Sequence, residues 1–307
     1  MKYFLFSIVL GFFSCRDIEK QDNILMKWTK FDLDLPKGIE IYQGSNQKIP
    51  LRAWVTVVDL TSPKISAKIL SSSDVDKKET PMQFLENTGA RVVINGGYFI
   101  MDKSPSSHVG LLKTNGRLEE PASHTVYREG IRYFINRGAF GIYRSGKVNI
   151  SWCSTRNDSI FCWKTPLGNR PGSPADSLKF LSSTYWDVFE GIHAGPVIVH
   201  DGKLINTIEE EVFFNTPISG VQPRSAVGYT NENKLVMMVV DGRQQDSRGV
   251  YLEELGNLML QFNCHKVLNL DGGGSSAMVA DSRLLNRPSG RSYQREVMSA
   301  IGIFYDE

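Results

Sequence analysis

Residues 268–276 combine residue types that often build a ligand site. An apolar strand, predicted from Lys266 to Leu270, runs into Asp271, three glycines and two serines. Consecutive glycines bring bare backbone close to a ligand, and their N–H groups form a concavity that binds anions. A carboxylate placed where a strand leaves the core is common in functional sites. We therefore predict a functional site at this turn.

Four further polar side chains stand at the ends of predicted strands: Asn95, Arg224, Asp241 and Arg243. A single polar residue followed by glycine indicates only a turn, but five such positions, Asp271 included, are harder to explain as turns alone. Arginine recognises phosphate or carboxylate with planar, bidentate hydrogen bonds. The set therefore indicates a site for an anionic substrate.

Two of these residues are carboxylates that could work together in a hydrolysis. Asp241 and Asp271 could act as acid and base, or as acid and nucleophile. Glu254, on a predicted helix between them, could complete the group or could be a solvated helix residue. The oxygens of Asp241, Asp271 and Asn95 could also hold a divalent cation, so metal dependence stays open.

The elements that position these residues occur in the same order twice. The first series is a strand over 52–60, a polar loop, a helix over 81–87 and a strand over 91–94 that leads to Asn95 and Gly96. The second is a strand over 234–240, a loop, a helix over 251–262 and a strand over 266–270. Residues 109–163 are typical of β-hairpins. We predict an α+β fold of strand-rich mixed sheets with few helices, in which two β-loop-α-β units face a common cleft.

The N-terminus is typical of an exported protein. Lys2 precedes an apolar run from Tyr3 to Phe13, and Ser14-Cys15 follows it. The run is too short for a comfortable membrane span and has the shape of a signal-peptide core. We predict a signal peptide and lipoprotein site at 1–15, a polar tether at 16–27 and a single domain at 28–307. The protein would be exported to the periplasm or outer surface of a bacterial cell and lipid-anchored at Cys15.

Composition and cysteine content limit the partners. The net charge is only +2 with basic residues dispersed, so nucleic acid is not expected. No segment after the leader is apolar enough to cross a membrane, so membrane contact would come only through the N-terminal lipid. Cys153 and Cys162 flank a polar turn and would face each other across a hairpin. An exported protein permits a disulfide there, and unpaired thiols are the alternative.

Several motifs together resemble the phosphodiester glycosidase family over about 52–305, nearly the whole expected mature chain. These motifs are Asn95-Gly96-Gly97-Tyr98-Phe99, Gly195-Pro196, Pro223-Arg224-Ser225-Ala226-Val227-Gly228, Asp241-Gly242-Arg243, Leu270-Asp271-Gly272-Gly273-Gly274-Ser275-Ser276, Asn286-Arg287-Pro288 and Arg295-Glu296-Val297. The resemblance implies hydrolysis of a sugar-1-phosphodiester, which releases the sugar and a phosphomonoester. The partner would be a glycan or sugar-phosphate substrate.

The resemblance, read with the residue chemistry, assigns roles to specific positions. The catalytic residues are taken from Asp241, Asp271 and Glu254. Substrate or phosphate binding is assigned to Asn95, Gly96, Arg224, Arg243, Ser247, Gly272, Gly273, Gly274 and Ser275. No cofactor is certain, and a divalent cation is possible.

Two other functions would use the same cleft. The first is a glycan-binding lipoprotein without catalysis, with Trp152, Trp163, Tyr98 and Phe99 as possible sugar platforms. The second is a transferase of exopolysaccharide assembly. Two carboxylates favour the hydrolase, because binding alone does not require them.

Overall fold

Strands are the main regular elements of the computed structural model, which describes residues 24–46 and 48–306. In chain order the strands are β1 Lys27–Phe31, β2 Ile39–Asn46, β3 Leu51–Asp59, β4 Ile65–Ser71, β5 Val92–Asn95, β6 Leu112–Thr114, β7 Arg117–Glu120, β8 Thr125–Arg128, β9 Ile131–Phe134, β10 Arg137–Ile142, β11 Val148–Arg156, β12 Ser159–Trp163, β13 Thr184–Tyr185, β14 Glu190–His193, β15 Val197–His200, β16 Lys203–Leu204, β17 Arg224–Thr230, β18 Lys234–Val240, β19 Cys264–Asn269, β20 Met278–Ala280, β21 Arg283–Leu284 and β22 Ser299–Tyr305. The two α-helices of the described residues are α1 Pro81–Thr88 and α2 Leu252–Leu260.

These strands form three large sheets and a two-stranded ribbon. The eight-stranded sheet has the order β1-β2-β3-β18-β17-β19-β15-β16. The seven-stranded sheet is β13-β12-β11-β10-β14-β6-β7, the five-stranded sheet is β21-β20-β5-β22-β4, and β8 pairs with β9.

One hydrophobic core lies where the three sheets meet. It joins Ile41 and Trp54 of the eight-stranded sheet to Ile94 of the five-stranded sheet and to Phe140 and Ile150 of the seven-stranded sheet. The opposite face of the eight-stranded sheet is covered by α2. Both faces are therefore buried in the middle of this sheet.

Strand β18 shows why its sequence is apolar throughout. Successive side chains of a strand point to opposite faces. Accordingly Leu235 and Met237 pack in the central core, whereas Val236 and Met238 pack beneath α2. A strand that is buried on both faces does not alternate between apolar and polar residues. This explains why residues 235–240 are all apolar.

The fold agrees with the prediction at the coarse level and differs in detail. A strand-rich structure with few helices is confirmed. The expectation of mixed sheets is wrong, because every strand pairing among residues 24–46 and 48–306 is antiparallel. The strands β18 and β19, which α2 connects, run in the same direction but do not pair, since β17 lies between them.

The two expected β-loop-α-β units are not equivalent. In the first, β3 belongs to the eight-stranded sheet and β5 to the five-stranded sheet, so the unit spans two sheets. In the second, β18 and β19 share one sheet. The turns that follow β5 and β19 nevertheless meet, as described below.

The short helix α1 begins as its sequence predicts. The Thr80 hydroxyl accepts a hydrogen bond from the Gln83 backbone N–H at 3.2 Å, and the Gln83 side chain accepts one from the Thr80 N–H at 2.8 Å. This reciprocal pair is a capping box. Gly89 ends the helix in the left-handed region at φ 73°, where glycine is unstrained.

The middle of the chain forms β-hairpins as predicted, with one difference in pairing. The hairpin of β10 and β11 is present, and so is that of β11 and β12. Strands β9 and β10 do not pair with each other, because β9 leaves the sheet to pair with β8. Cys153 and Cys162 are directly opposite across β11 and β12, and the cysteines of the described residues are free thiols.

The folded domain includes the last residues of the expected tether. Lys27 is the first residue of β1, Ile24 is buried, and the Ile24 carbonyl accepts a hydrogen bond from Gln261 at 2.9 Å. The expected signal peptide, the lipidation site at Cys15 and residues 16–23 lie outside the described residues. Within the described part of the chain, neither helix is long and apolar enough to span a bilayer.

Candidate active site

The glycine-rich turn after β19 lines a pocket of about 270 Å³ that opens to solvent. Its lining residues come from the ends of β17, β18 and β19 and from three loops: Tyr98, Pro217, Ile218, Gln222, Arg224, Arg243, Asn269, Asp271, Gly272, Gly273, Gly274 and Arg295. Three arginines and one carboxylate are its charged groups. The pocket is therefore suited to an anion with an uncharged group beside it.

Asn95 and Gly96 hold the turn in place from behind. The Asp271 N–H donates to the Gly96 carbonyl at 3.0 Å, and Asn95 Nδ2 donates to the Asp271 carbonyl at 2.7 Å. Asn95 Oδ1 accepts from the Ser225 hydroxyl at 2.6 Å and from the Ala277 N–H at 3.2 Å. With both ends of its amide engaged, Asn95 is placed to position the site rather than to contact a substrate.

Close backbone packing explains why glycines occupy these turns. A Cβ on Gly97 would lie 2.1 Å from the His193 carbonyl oxygen, and one on Gly272 would lie 2.9 Å from the Pro223 carbonyl oxygen. Neither position has room for a side chain. Gly273 has φ +62°, which lets the chain turn into a short 3₁₀ helix at Gly273–Ser275.

Arg224, the first residue of β17, is buried at the inner wall of the pocket. Its Nη2 donates to the carbonyls of Ile218 and Gly220 at 2.7 and 2.5 Å, and its Nε donates to the Val250 carbonyl at 3.2 Å. No described carboxylate pairs with it, and burial lowers its pKa to about 10. The guanidinium therefore carries an unneutralised positive charge to the pocket wall.

Arg243 and Arg295 each lie against one glycine of the turn. Both nitrogens Nε and Nη2 of Arg243 donate to the Gln222 side-chain oxygen, at 3.0 and 2.5 Å, and the Arg243 guanidinium lies against Gly273. The Arg295 guanidinium lies against Gly274, and its Nη1 donates to the Ser275 hydroxyl at 3.4 Å. Two guanidinium cations thus contact the glycine-rich turn.

Asp271 is the one carboxylate that lines this pocket. Burial raises its pKa to about 6, while hydrogen bonds from Ser275 and Gly272 and the charge of Arg295 act in the opposite direction. The Gly272 N–H donates to Oδ1 at 3.0 Å. A carboxylate with a pKa close to neutral can exchange a proton during a reaction.

Asp241 does not line the pocket with Asp271. Its Oδ1 accepts from Asn286 Nδ2 at 3.1 Å and from the Arg287 N–H at 2.9 Å, so its side chain holds the loop at 286–287. Oδ2 is buried without a hydrogen-bond partner. Burial raises the pKa of Asp241 to about 6. The expected pair of carboxylates in one cleft is therefore not brought together.

Glu254 and Ser247 also serve the framework. Glu254 Oε2 accepts from the Tyr251 N–H at 2.9 Å at the start of α2, and its Oε1 pairs with Arg248 at 2.6 Å. The Ser247 hydroxyl donates to the Asp241 carbonyl at 2.7 Å and accepts from the Arg52 N–H at 3.0 Å. Neither residue lines the pocket.

The oxygen ligands expected for a divalent cation do not converge. Asn95 Oδ1 and Asp241 Oδ1 each accept two hydrogen bonds from the protein. Among the described residues no group of three His, Cys, Asp or Glu side chains is arranged to hold a metal ion. Asp271 remains available, but the other two side chains of the expected set point elsewhere.

The aromatic residues considered as sugar platforms divide into two groups. Trp152 and Trp163 are buried in the seven-stranded sheet, and the Trp152 indole donates to Glu211 at 2.9 Å. Phe99 packs partly buried against the core. Tyr98 is half-buried and lines the pocket, so it alone of the four can contact a ligand there.

Five pocket residues have no role predicted from the sequence: Pro217, Ile218, Gln222, Asn269 and Arg295. Asn269 donates to the Gly195 carbonyl at 2.8 Å and to the Tyr98 hydroxyl at 3.0 Å, and Gln222 orients Arg243. Arg295 lies in the sequence motif Arg295-Glu296-Val297. The feature that could have indicated its place in the pocket is that it is a further arginine in the motif set, besides Arg224 and Arg243. The loop at 217–218 has no polar signal that distinguishes it from any other turn.

The fold and the pocket define a strand-rich domain in which three arginines and a glycine-rich turn line a pocket. A family model described as phosphodiester glycosidase matches residues 88–304. That range is more than half of the chain, and the chain therefore belongs to the phosphodiester glycosidase family. The resemblance noted from the sequence motifs is confirmed.

Curated relatives carry a more specific name. The chain is 25% identical over 215 residues to N-acetylglucosamine-1-phosphodiester alpha-N-acetylglucosaminidase of Bos taurus, a match that covers 69% of this chain and 35% of the bovine protein. The mouse protein of the same name is 26% identical over 203 residues, covering 66% of this chain and 34% of that protein. The chain thus spans about a third of the length of these relatives.

Solved structures share the fold at low identity. The catalytic domain of the zebrafish protein of that name, auto-inhibited by its pro-peptide, matches with a TM-score of 0.59 at 19% identity, over 94% of this chain and 85% of that one. A hypothetical protein from Synechocystis matches with a TM-score of 0.67 at 16% identity, over 93% of this chain and 64% of that one. These likenesses establish the common architecture.

Proposed function

We propose that the protein is a hydrolase of a sugar-1-phosphodiester and that N-acetylglucosamine-1-phosphodiester is its substrate class. The observation that carries the proposal is one carboxylate, Asp271, among three arginines on a glycine turn. The name of the bovine and mouse relatives supports the choice of sugar. The known fold alone would not, because one fold hosts many reactions.

The arrangement supports a mechanism with a single carboxylate. Arg224, Arg243 and Arg295 bind the phosphodiester and stabilise the negative charge that builds on the leaving phosphate. The ionised Asp271 takes a proton from a water molecule that attacks the anomeric carbon. The bond between that carbon and the phosphate oxygen breaks, and its electron pair stays on the phosphomonoester. A phosphate held by arginines needs no separate acid to leave, which fits the position of Asp241 outside the pocket.

The experiment is hydrolysis of a panel of sugar-1-phosphodiesters by the protein that lacks residues 1–20, in water enriched in ¹⁸O. We expect turnover of the N-acetylglucosamine member, with the label in the released sugar and not in the phosphate. Asp271→Asn should lower kcat/KM by roughly 100-fold or more. Asp246→Asn is the matched control, because Asp246 is exposed and pairs with Arg52 at 2.9 Å. Label in the phosphate would contradict the mechanism, and absence of turnover on every member would contradict the function.

The proposed hydrolase would not need a divalent cation. The support is that Asn95 Oδ1 and Asp241 Oδ1 each accept two hydrogen bonds within the protein and that Asp241 does not line the pocket that Asp271 lines. Assays with and without EDTA, and with added Mg²⁺, Mn²⁺ or Ca²⁺, should give the same rate within twofold. A rate that EDTA abolishes and one of these ions restores would contradict this part of the proposal.

We also propose that the enzyme acts in the cell envelope of a bacterium. The support is the sequence at 2–15, where an apolar run of signal-peptide shape ends at Ser14-Cys15. The test is expression with a labelled fatty acid followed by membrane fractionation. Wild-type protein should carry the label in the membrane fraction, and Cys15→Ala should remove it. An unlabelled protein that stays in the cytoplasm would contradict both the export and the lipid anchor.

A further inference from the structure

We propose that a second pocket, next to the active-site pocket, binds a hydrocarbon group on the aglycone side of the substrate. This inference rests on the proposed function and specifies which sugar-1-phosphodiesters it prefers. The second pocket has a volume of about 460 Å³. Its apolar lining comes from β15, β16, the segment after β16 and the start of α2, with Ile198, Leu204, Ile208 and Leu252 as the main contributors. We call it the aglycone pocket.

Two peptide segments separate the aglycone pocket from the active-site pocket. In the first, Gly195 offers its carbonyl to Tyr98 of the active-site pocket at 2.6 Å, while the next residue, Pro196, lines the aglycone pocket. In the second, the 3₁₀ turn Pro217–Ser219, Ile218 lines the active-site pocket and Ser219 lines the aglycone pocket. The two cavities are therefore neighbours on opposite sides of one thin wall.

Arg224 holds the wall between the two pockets in place. Arg224 Nη2 donates to the carbonyls of Ile218 and Gly220, so the turn that forms the wall is held by the residue proposed to bind phosphate. A phosphate beside Arg224 would place its second ester oxygen near this turn. A group attached to that oxygen can then extend over the turn and into the aglycone pocket.

The chemistry of the aglycone pocket selects a hydrocarbon. Three of its polar side chains are engaged within the protein: Thr207 donates to the Val197 carbonyl at 2.8 Å, Ser219 donates to the Thr216 carbonyl at 3.0 Å, and Asn206 accepts from the Ile208 N–H at 3.1 Å. Its one charged lining residue, Glu253, disfavours a second anion. Apolar surface with satisfied polar neighbours gains most from burial of alkyl groups.

The test compares three diesters of N-acetylglucosamine-1-phosphate whose second ester group is methyl, mannosyl or octyl, all below the concentration at which the octyl compound forms micelles. We expect kcat/KM for the octyl diester to exceed that for the methyl diester by about tenfold or more. The mannosyl diester, which is as bulky but polar, should stay close to the methyl diester. Equal values for octyl and methyl, or an equal gain with mannosyl, would overturn the proposal.

A variant pair locates the preference in the aglycone pocket. Ser219→Trp places a large side chain in the pocket and should remove the octyl preference, so that the octyl and methyl diesters give the same kcat/KM within twofold. Ser182→Trp is the matched control, because Ser182 is also exposed, ends a 3₁₀ turn and donates to the carbonyl three residues before it at 2.8 Å. It should keep the preference. A preference that persists in a folded Ser219→Trp protein would overturn the assignment.

Binding separates failure of this inference from failure of the proposed function. Octyl phosphate and methyl phosphate are titrated into the protein in a calorimeter, which requires no turnover. If no diester is hydrolysed, the proposed function fails, and tighter binding of octyl phosphate by wild type than by Ser219→Trp would still support the aglycone pocket. If the diesters are hydrolysed but both phosphates bind equally, the aglycone pocket is wrong and the hydrolase stands.

Discussion

The carboxylate of Asp271 has neighbours that act on it in opposite directions. Burial favours its protonated form, whereas Ser275, the Gly272 N–H and Arg295 favour the ionised form, and the outcome is a pKa of about 6. A group balanced in this way is half ionised at a mildly acidic pH. Its role in the reaction can therefore be read from the pH dependence of the rate.

We expect kcat/KM to rise with pH through about 6 and then to level off. The sign follows from the mechanism, because a base must be ionised and Asp271 loses its proton as the pH rises through its pKa. The measurement is kcat/KM from pH 4.5 to 8, and the residual activity of Asp271→Asn should lack this limb. A rate that instead falls above pH 6 would assign Asp271 the role of general acid.

Asp241 should influence stability more than catalysis. Its pKa is raised from 3.8 to about 6 by burial, so the folded state holds a proton that the unfolded state loses. The resulting stabilisation is fully present below pH 3.8 and is lost as the pH rises through about 6.

The corresponding variant is Asp241→Asn, which is neutral at every pH. The free energy of unfolding of wild type relative to Asp241→Asn should be more favourable at pH 4.5 than at pH 7, by on the order of 2 kcal/mol. Urea unfolding at the two pH values measures this, and Asp246→Asn, at an exposed site, provides the comparison. Loss of activity as large as that of Asp271→Asn in a stable Asp241→Asn protein would contradict the assignment.

Sequence reasoning located the residues of the site better than it located their roles. Asp271, Arg224, Arg243 and Gly272 to Gly274 line one pocket, and the roles assigned to them stay predictions. Asp241 and Asp271 looked alike in the sequence because each follows an apolar strand. Their environments differ through contacts with 286–287 and with Arg295 that no local pattern encodes.

At the scale of elements, the turn after β19 has room for two arginine side chains because its residues 273 and 274 are glycines. A Cβ on Gly274 would lie 2.6 Å from Arg295 Nη2 and 2.8 Å from Arg295 Cζ. Arg295 must then move away from the turn. The Gly274 backbone itself does not have a positive φ, so an alanine there meets a neighbour rather than a backbone penalty.

We therefore expect Gly274→Ala to raise KM for the diester by about tenfold or more with a small effect on stability, because one phosphate-binding cation is displaced. Steady-state kinetics together with a thermal melt measure both quantities. Gly168→Ala is the control, since a Cβ at Gly168 meets nothing within 4 Å. Unchanged KM in Gly274→Ala would show that Arg295 does not contact the substrate.

Helix α2 depends on Glu254 for its first turn. Glu254→Ala removes both the hydrogen bond to the Tyr251 N–H and the pair with Arg248. The free energy of unfolding should fall by about 2 kcal/mol, while kcat stays within threefold. Urea unfolding and kinetics check the two statements. Glu253→Ala, one residue earlier and exposed, should change stability by less than about 0.5 kcal/mol; a collapse of kcat in Glu254→Ala would return Glu254 to the catalytic group.

The sequence predicted individual elements well and their pairing poorly. The strand at Lys234–Val240 and the helix at Pro81–Thr88 match their expected positions closely, because apolar runs and capping residues are local signals. Strand β17, which begins at Arg224, pairs with both β18 and β19, and this placement between them was not predicted.

For the whole molecule, one buried carboxylate joins two sheets. Glu211 Oε2 accepts from the Gly138 N–H of β10 at 2.8 Å, and Oε1 accepts from the Trp152 indole of β11 and from the Val197 N–H of β15, each at 2.9 Å. Strands β10 and β11 belong to the seven-stranded sheet and β15 to the eight-stranded sheet. The Glu211 carboxylate thus accepts hydrogen bonds from both sheets and connects them.

We expect Glu211→Gln to lower the free energy of unfolding by roughly 3 kcal/mol, because the new amide donor would face N–H donors in a buried site. Chemical denaturation measures the loss. Glu209→Gln is the control, since Glu209 is exposed and only approaches Arg170 at 3.5 Å. A Glu211→Gln protein as stable as wild type would show that the junction does not hold the sheets together.

Because its glycines are crowded, the site can also be mapped by substitution, without any substrate. At Gly97, Gly272 and Gly274 a Cβ would come within 2.1, 2.9 and 2.6 Å of a neighbouring atom. By contrast, the open glycines are Gly168 and Gly220, where a Cβ would meet nothing closer than 3.6 Å and the backbone has no positive φ. In a saturation library scored only for soluble expression, Gly97 should tolerate no replacement, and the open glycines should accept many. The positions that reject substitution would then trace the main-chain path around the pocket before any activity had been assayed.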